Sequence, residues 1–242
     1  MGKLYIVGAG PGDPKLITLR AYEVLREADV VLYDRLVNPE ILSYTKPSAT
    51  ALYVGKKAGE QHRKQKLIYR LTERYLAAGL KVVRLKGGDP FIFGRGAEEL
   101  IYFVERGVEV EVVPGISSCT GVPELVGIPL TLRGCSSSFT VVAGNDENAD
   151  WSVYRKVGTL VILMGVRNRR RIATELIKAG RASEEPVAFV EKGTWKEEKV
   201  IFSTLAEVAE GAVEVSPPAL FVVGRVVEFA KTFRTLKEVV GC

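Results

Sequence analysis

The sequence is poor in the residues from which metal and covalent-catalysis sites are usually built. Among 242 residues there are one histidine, three cysteines, two methionines and two tryptophans. A single imidazole, His62, excludes a metal site made of several histidines and leaves any Ser/His triad dependent on that one residue. Cys119, Cys135 and Cys242 are odd in number and show no Cys-x-x-Cys spacing, so neither a disulfide framework nor a zinc site is expected. No apolar run approaches the roughly 18 residues of a membrane span. The start, Met1-Gly2-Lys3-Leu4-Tyr5-Ile6-Val7, enters a strand-like segment with no signal- or transit-peptide pattern. Internal repeats and low-complexity segments are also lacking. The expectation is a cytoplasmic protein without metal or membrane association.

Hydrophobic residues make up 47% and charged residues 26%, the composition of a globular chain, and 242 residues suffice for two modest cores. The formal net charge is +5, which fits an anionic partner such as nucleic acid or a polycarboxylate without choosing between them.

β-branched apolar runs alternate with segments of helical period, the pattern of α/β architecture. Strands are expected at Lys3–Val7, Val30–Tyr33, Lys81–Leu85 and Val108–Val113, with helices at Lys15–Ala28, Leu67–Ala78 and Ala97–Arg106. After Gly127-Ile128-Pro129-Leu130 the pattern shifts to strands at Phe139–Val142, Thr159–Leu163, Val187–Val190, Lys199–Phe202 and Leu220–Val223, with helices at Asn168–Ala179 and Leu205–Ala209. Two α/β domains, 1–114 and 115–242, with a ligand cleft between them, are the resulting expectation.

Three glycine-rich elements follow strands. Val7-Gly8-Ala9-Gly10-Pro11-Gly12-Asp13-Pro14 falls short of the dinucleotide fingerprint because Asp13 stands where its third glycine belongs, although Asp34 sits where a ribose-binding acid would. The loop reads either as a tight turn or as the seat of a nucleotide-like ligand. Gly87-Gly88-Asp89-Pro90-Phe91-Ile92-Phe93-Gly94-Arg95-Gly96 offers bare backbone, a carboxylate for hydroxyls or an amine, and an arginine bracketed by glycines. The acids Glu98 and Glu99 suit a helix start, whereas Arg95 opposes the helix dipole there and so suggests a bound anion. Val113-Pro114-Gly115-Ile116 leads into Ser117 and Ser118, which read as helix caps or ligand contacts. The arginines at 167, 169, 170 and 171, and Arg63, Lys64 and Lys66, read as solvated faces or as anion-binding clusters.

Together with Leu32-Tyr33-Asp34-Arg35-Leu36-Val37 and Gly127-Ile128-Pro129-Leu130-Thr131, these strings closely resemble the uroporphyrinogen-III C-methyltransferases of the tetrapyrrole methylase superfamily, over nearly the whole chain. The resemblance implies two α/β domains holding S-adenosyl-L-methionine in the cleft, with S-adenosyl-L-homocysteine as product. Pro11, Gly87, Gly88, Asp89, Ile92, Ser117, Ser118, Met164, Gly193 and Ala219 would contact the cofactor. Arg95 and Arg133 would hold carboxylates of an anionic tetrapyrrole, and Glu98 or Asp34 would remove a proton. It further implies a homodimer that adds methyl groups to uroporphyrinogen III on the way to precorrin-2, with no nucleic acid as partner. A later precorrin, ribosomal RNA, or a nicotinamide cofactor in an oxidoreductase are the alternatives. Leu132 and Asn145 stand where the family carries histidines, which removes any role those imidazoles play on the substrate side.

Overall fold

The structure, a computed structural model, describes residues 2–55 and 61–240, with the side chains of 61–64 and 234–240 outside the description. His62, Arg63, Lys64 and Cys242, considered above, lie outside the described side chains. The chain divides into two compact units, Met1–Ser117 and Ser118–Cys242. Gly115 is packed against the Gly8 and Gly88 backbones.

The first unit is a five-stranded parallel sheet in the order β3-β2-β4-β1-β5: β1 (Lys3–Gly8), β2 (Val30–Tyr33), β3 (Thr50–Tyr53), β4 (Val82–Lys86) and β5 (Glu109–Val113). Between strands run α1 (Leu19–Glu27), α2 (Gln61–Ala77) and α3 (Gly96–Val104). Alternation along β1 separates two cores. Tyr5 and Val7 pack with Ala21, Val24 and Leu25 of α1, while Leu4 and Ile6 pack with Leu76 of α2 and Phe103 of α3. The sheet is therefore covered on both faces, which is why its inner strands read as continuous apolar runs.

The helix expected over Lys15–Ala28 is two pieces. Asp13 accepts a hydrogen bond from the Lys15 N–H over a short 3-10 turn, Pro14–Leu16, and Thr18 then caps α1 by accepting from the Ala21 N–H at 3.2 Å. The short edge strand β3 was not among the sequence expectations, having only four residues with little burial.

The second unit carries a mixed sheet, β6-β7-β10-β8-β9: β6 (Phe139–Ala143), β7 (Thr159–Leu163), β8 (Pro186–Glu191), β9 (Lys199–Thr204) and β10 (Ala219–Val223). Leu160, Ile162, Phe189 and Phe221 face α5 (Arg169–Lys178) and α6 (Leu205–Glu210), whereas Val161, Ala188, Val190 and Val222 face α4 (Ser118–Leu125) and α7 (Val226–Val240). Pro123 inside α4 hid that helix from the sequence pattern. Among the described residues no helix is long and apolar enough to cross a membrane.

Candidate active site

In the first sheet, the chain leaves β1 toward β2 on one side and leaves β4, through α3, toward β5 on the other. Neighbouring strands whose connections diverge open a crevice at their carboxyl ends, the usual ligand position in such sheets. The strand ends that meet there are those of the two glycine-rich loops. Gly10 and Gly88 exchange backbone hydrogen bonds, 3.2 Å from the Gly10 N–H and 2.7 Å from the Gly88 N–H, and the Ala9 N–H donates to Lys86 O. Pro11, Asp34, Gly87, Gly88, Asp89 and Ser117 thus share one edge of the sheet.

The glycines are required by chain against chain. A Cβ on Gly8 would lie 2.5 Å from Gly115 N and 2.7 Å from Gly88 O, and one on Gly87 would lie 2.9 Å from the Leu36 Cβ. Gly94 and Gly96 both abut the Pro90 carbonyl, so their role is to let the loop fold over Pro90 rather than to clear space around Arg95. Asp89 ties this assembly together, its Oδ1 accepting from the Phe91 N–H at 2.8 Å and its Oδ2 from the Gly115 N–H at 3.1 Å.

Strain marks the same stretch. Phe93 (φ 53°) and Arg95 (φ 60°) occupy the left-handed region, which costs a non-glycine residue roughly 1–3 kcal/mol and tends to persist at functional sites. Phe91, Ile92 and Phe93 are all exposed. Arg95 does not confront the helix dipole alone. Its Nε and Nη2 bind both Glu98 oxygens one turn into α3, which raises the guanidinium pKa and corrects the expectation of an open cation.

In the second sheet, β10 runs antiparallel to both β7 and β8, so its first residue lies at the edge where those two strands end. Met164 after β7, Gly193 after β8 and Ala219 at the start of β10 therefore share an edge. Met164 is 48% exposed with φ 57°, and Gly193 lies between Lys192 (φ 45°) and Thr194 (φ 70°). The Lys192 N–H donates to Pro218 O, drawing that loop to β10. Ser118 begins α4 directly after the buried Ser117. Arg133 is exposed in a turn closed by the Leu132–Ser136 bridge, and Asn145 is exposed as well.

Beneath the first edge lies a cluster that the sequence reading missed. Arg84 and Lys86, on one face of β4, are each 3% exposed, and Glu99 of α3 is 1% exposed. Glu99 Oε1 accepts from Lys86 Nζ at 3.0 Å, Gln65 Nε2 at 3.1 Å and Arg84 Nε at 3.3 Å, while its buried Oε2 has no hydrogen-bond partner among the described residues. Arg84 Nη2 reaches Asp34 Oδ1 at 2.7 Å. Burial, reinforced by the Arg84 charge, pushes the Lys86 pKa down. For Glu99 burial acts upward, but the Arg84 and Lys86 charges overcome it and hold the carboxyl below its usual range. Glu99 is thus the counter-ion of two buried cations rather than a dipole-favoured helix start. The available signal was a pair of cations at alternate positions in an otherwise apolar strand.

Residues 3–209 match the family of tetrapyrrole (corrin/porphyrin) methylases. The chain is 44% identical over 235 residues to uroporphyrinogen-III C-methyltransferase of Methanocaldococcus jannaschii, covering 93% of this chain and 97% of that one. It is 42% identical over 237 residues to the enzyme of the same name from Bacillus subtilis, covering 95% and 92%. A crystal structure of uroporphyrin-III C-methyltransferase from Thermus thermophilus complexed with S-adenosylhomocysteine superposes with TM-score 0.82 at 48% identity, covering 93% of each chain. The chain is a tetrapyrrole methylase.

Within a tetrapyrrole methylase the arginines of α5 take on a structural meaning. Arg169 donates to Val213 O and Val166 O, Arg170 to Glu210 O, and Arg171 to Glu147 O and Asp146 O. These side chains fasten the second unit's loops to α5. Asp34, the ribose-binding acid of the oxidoreductase alternative, is engaged by Arg84.

Proposed function

We propose that the chain transfers methyl groups from S-adenosyl-L-methionine to carbon atoms of uroporphyrinogen III, forming precorrin-2 by way of precorrin-1. The observation that carries this reading is the meeting of both family glycine loops at the divergent strand ends of the first sheet, in a chain 44% identical to a named uroporphyrinogen-III C-methyltransferase.

The residues fit a nucleoside-bearing donor. Backbone at Pro11, Gly87 and Gly88 and the carboxylate of Asp89, whose oxygens each keep a lone pair, suit ribose hydroxyls and an amino group. The exposed Ile92 side chain suits an adenine face. Ser117 and Ser118, with Met164, Gly193 and Ala219 on the second sheet's edge, keep their assignment as donor contacts. When bound, S-adenosyl-L-methionine supplies an electrophilic methyl group on its sulfonium. The nucleophile is a pyrrole carbon of the substrate, so the chain supplies alignment and a proton acceptor rather than a nucleophile. Alignment alone reaches effective molarities of roughly 10⁵–10⁸ M.

Of the two candidate acceptors, Asp34 fits better than Glu98. Both Glu98 oxygens bind Arg95, whereas Asp34 Oδ2 makes no hydrogen bond among the described residues. In this reading the new carbon–carbon bond would draw its pair from the pyrrole as the methyl–sulfur bond breaks and leaves its pair on a neutral thioether, giving an iminium cation. A C–H bond next to that cation then breaks, its electron pair neutralises the iminium, and its proton passes to Asp34 Oδ2. Arg95, steadied by Glu98, and Arg133 hold substrate carboxylates. The homodimer that the resemblance implies and the cytoplasmic location expected from the sequence are part of the proposal, and size-exclusion chromatography with light scattering checks the first.

Anaerobic incubation with S-adenosylmethionine and enzymatically made uroporphyrinogen III yields a product heavier by two methyl groups. An unchanged mass spectrum, with adenosylhomocysteine binding intact in calorimetry, overturns the substrate assignment, and NAD binding in its place would favour the oxidoreductase.

A further inference from the structure

The proposed reading gives Arg84, Lys86 and Glu99, beneath the first edge, no cofactor or substrate contact, and the cost of burying them demands a reason. Inner strands of a parallel sheet are normally apolar, and removing an ion from water costs several kcal/mol even after relaxation. Here two cations and a carboxylate lie among Leu4, Ile6, Leu32, Val82 and Phe103, where aliphatic side chains of similar volume would pack at no such cost.

Arg84 is fixed at every edge of its guanidinium plane. Its Nη1 donates to Leu32 O of β2 and Leu85 O of β4, both at 3.2 Å, and its Nε donates to Glu99 of α3. That leaves Nη2, aimed at Asp34 Oδ1. The backbone of Asp34 is set by the same strand, its N–H donating to Leu85 O at 3.3 Å. Lys86 Nζ stands 3.8 Å from Asp34 Oδ2, beyond hydrogen-bonding range. The formal charges of the cluster balance, and Asp34 has one oxygen clamped by Arg84 while the other, facing Lys86 Nζ, accepts no hydrogen bond among the described residues.

We infer that Arg84, backed by Glu99, is a positioning residue of the methyl-transfer reaction: it clamps Oδ1 of Asp34 and so presents Oδ2 to the carbon-bound proton that the reaction removes. The inference rests on the reading of Asp34 as proton acceptor. It assigns a task to the buried pair Arg84 and Glu99. A lysine at position 84 would keep the charge but lose the rigid fork that joins Asp34 to Glu99, since an ammonium on a flexible stem cannot hold a two-point geometry.

The test uses the full chain with uroporphyrinogen III under anaerobic conditions, and compares Asp34→Asn, Arg84→Lys and Arg84→Gln. Arg84→Gln lowers kcat about 100-fold, the lower end of what a displaced proton acceptor costs, while KM and the adenosylhomocysteine Kd stay within about twofold. Arg84→Lys recovers kcat to within about tenfold of the parent, consistent with retained charge and lost fork geometry, and serves alone should the glutamine variant not fold. Unchanged kcat in Arg84→Lys, or a Kd that weakens in step with kcat, overturns the inference and makes Arg84 a packing residue. Asp34→Asn separates the two levels. Turnover at the parental rate overturns the Asp34 assignment and the inference with it. A large loss in Asp34→Asn without the kcat-selective loss at Arg84 overturns the inference alone.

Discussion

Glu99 is the residue on which the buried charges depend. Its carboxyl is held below the usual range by Arg84 and Lys86 despite burial, so the stabilisation it provides is fully present above the unfolded-state value of 4.5 and is lost as pH falls through the lower folded-state value. Glu99→Gln keeps an acceptor for Gln65, Arg84 and Lys86 but removes the charge, and is expected to cost about 3 kcal/mol at pH 7, in the range for breaking a buried pair. Urea unfolding between pH 3 and pH 7 checks this, with the difference from the parent shrinking below pH 4.5. Lys86 acts in the same direction, in a more alkaline window. Its folded-state pKa is depressed, so stability rises with pH once the buried ammonium begins to lose its proton. Arg95→Ala leaves adenosylhomocysteine affinity within about twofold while lowering kcat by about 10² or more, as expected for loss of a bidentate substrate contact. Parallel loss of both in calorimetry and turnover would reduce Arg95 to a loop residue.

The residues near the chemistry were legible in the sequence by type but not by task. Arg95 stood out because it opposed the helix dipole, yet the sequence could not reveal that Glu98 answers it, since a pairing three residues apart depends on the left-handed turn at Arg95. Glu99 was visible as an acid in a first helical turn. Its true partners lie on a strand 13 and 15 residues earlier, and only the register of α3 over β4 joins them.

At the level of elements, strands were easier to read than helices. Val30–Tyr33 and Thr159–Leu163 were expected with their observed bounds, because uninterrupted β-branched runs flanked by breakers leave little choice. α4 escaped because a proline sits inside it, and α7 because its opening Val226-Val227 reads equally well as strand. Where a cap is explicit, the element is easy to test. Thr204 and Glu207 form a reciprocal capping box at the start of α6, with the Thr204 side chain accepting from the Glu207 N–H at 3.3 Å and Glu207 accepting from the Thr204 N–H at 3.0 Å. Thr204→Ala is expected to cost about 1 kcal/mol in denaturant unfolding without altering turnover. The glycine contacts of β1, β4 and β5 behave differently. Gly8→Ala must push apart the Gly115 and Gly88 backbones, a strain of about 1–3 kcal/mol, and adenosylhomocysteine affinity is expected to fall with stability because the displaced backbone belongs to the binding edge. Calorimetric titration of the purified variant measures that link.

At the scale of the whole molecule, two α/β units were apparent from the change in strand and helix spacing after Gly127-Ile128-Pro129-Leu130. Ligand linkage is the global observable. Adenosylhomocysteine at 100 times its Kd is expected to add about 2.7 kcal/mol to the stability of the unit or units that bind it. Differential scanning calorimetry at two ligand concentrations therefore reports how far the binding edges are shared, since a unit without contacts keeps its transition temperature.

The reciprocal hydrogen bonds between Gly10 and Gly88 also set an order of events during synthesis. β1 leaves the ribosome before its neighbours in the sheet, β4 and β5, which are both encoded much later. Its unpaired backbone N–H and C=O groups and apolar side chains wait uncovered while α1, β2, β3 and α2 are made, and such non-local parallel pairing is slow to form. The nascent chain cannot offer the methyl donor a seat until Gly88 has emerged, so a ribosome stalled before that point displays an aggregation-prone strand instead of a half-built enzyme.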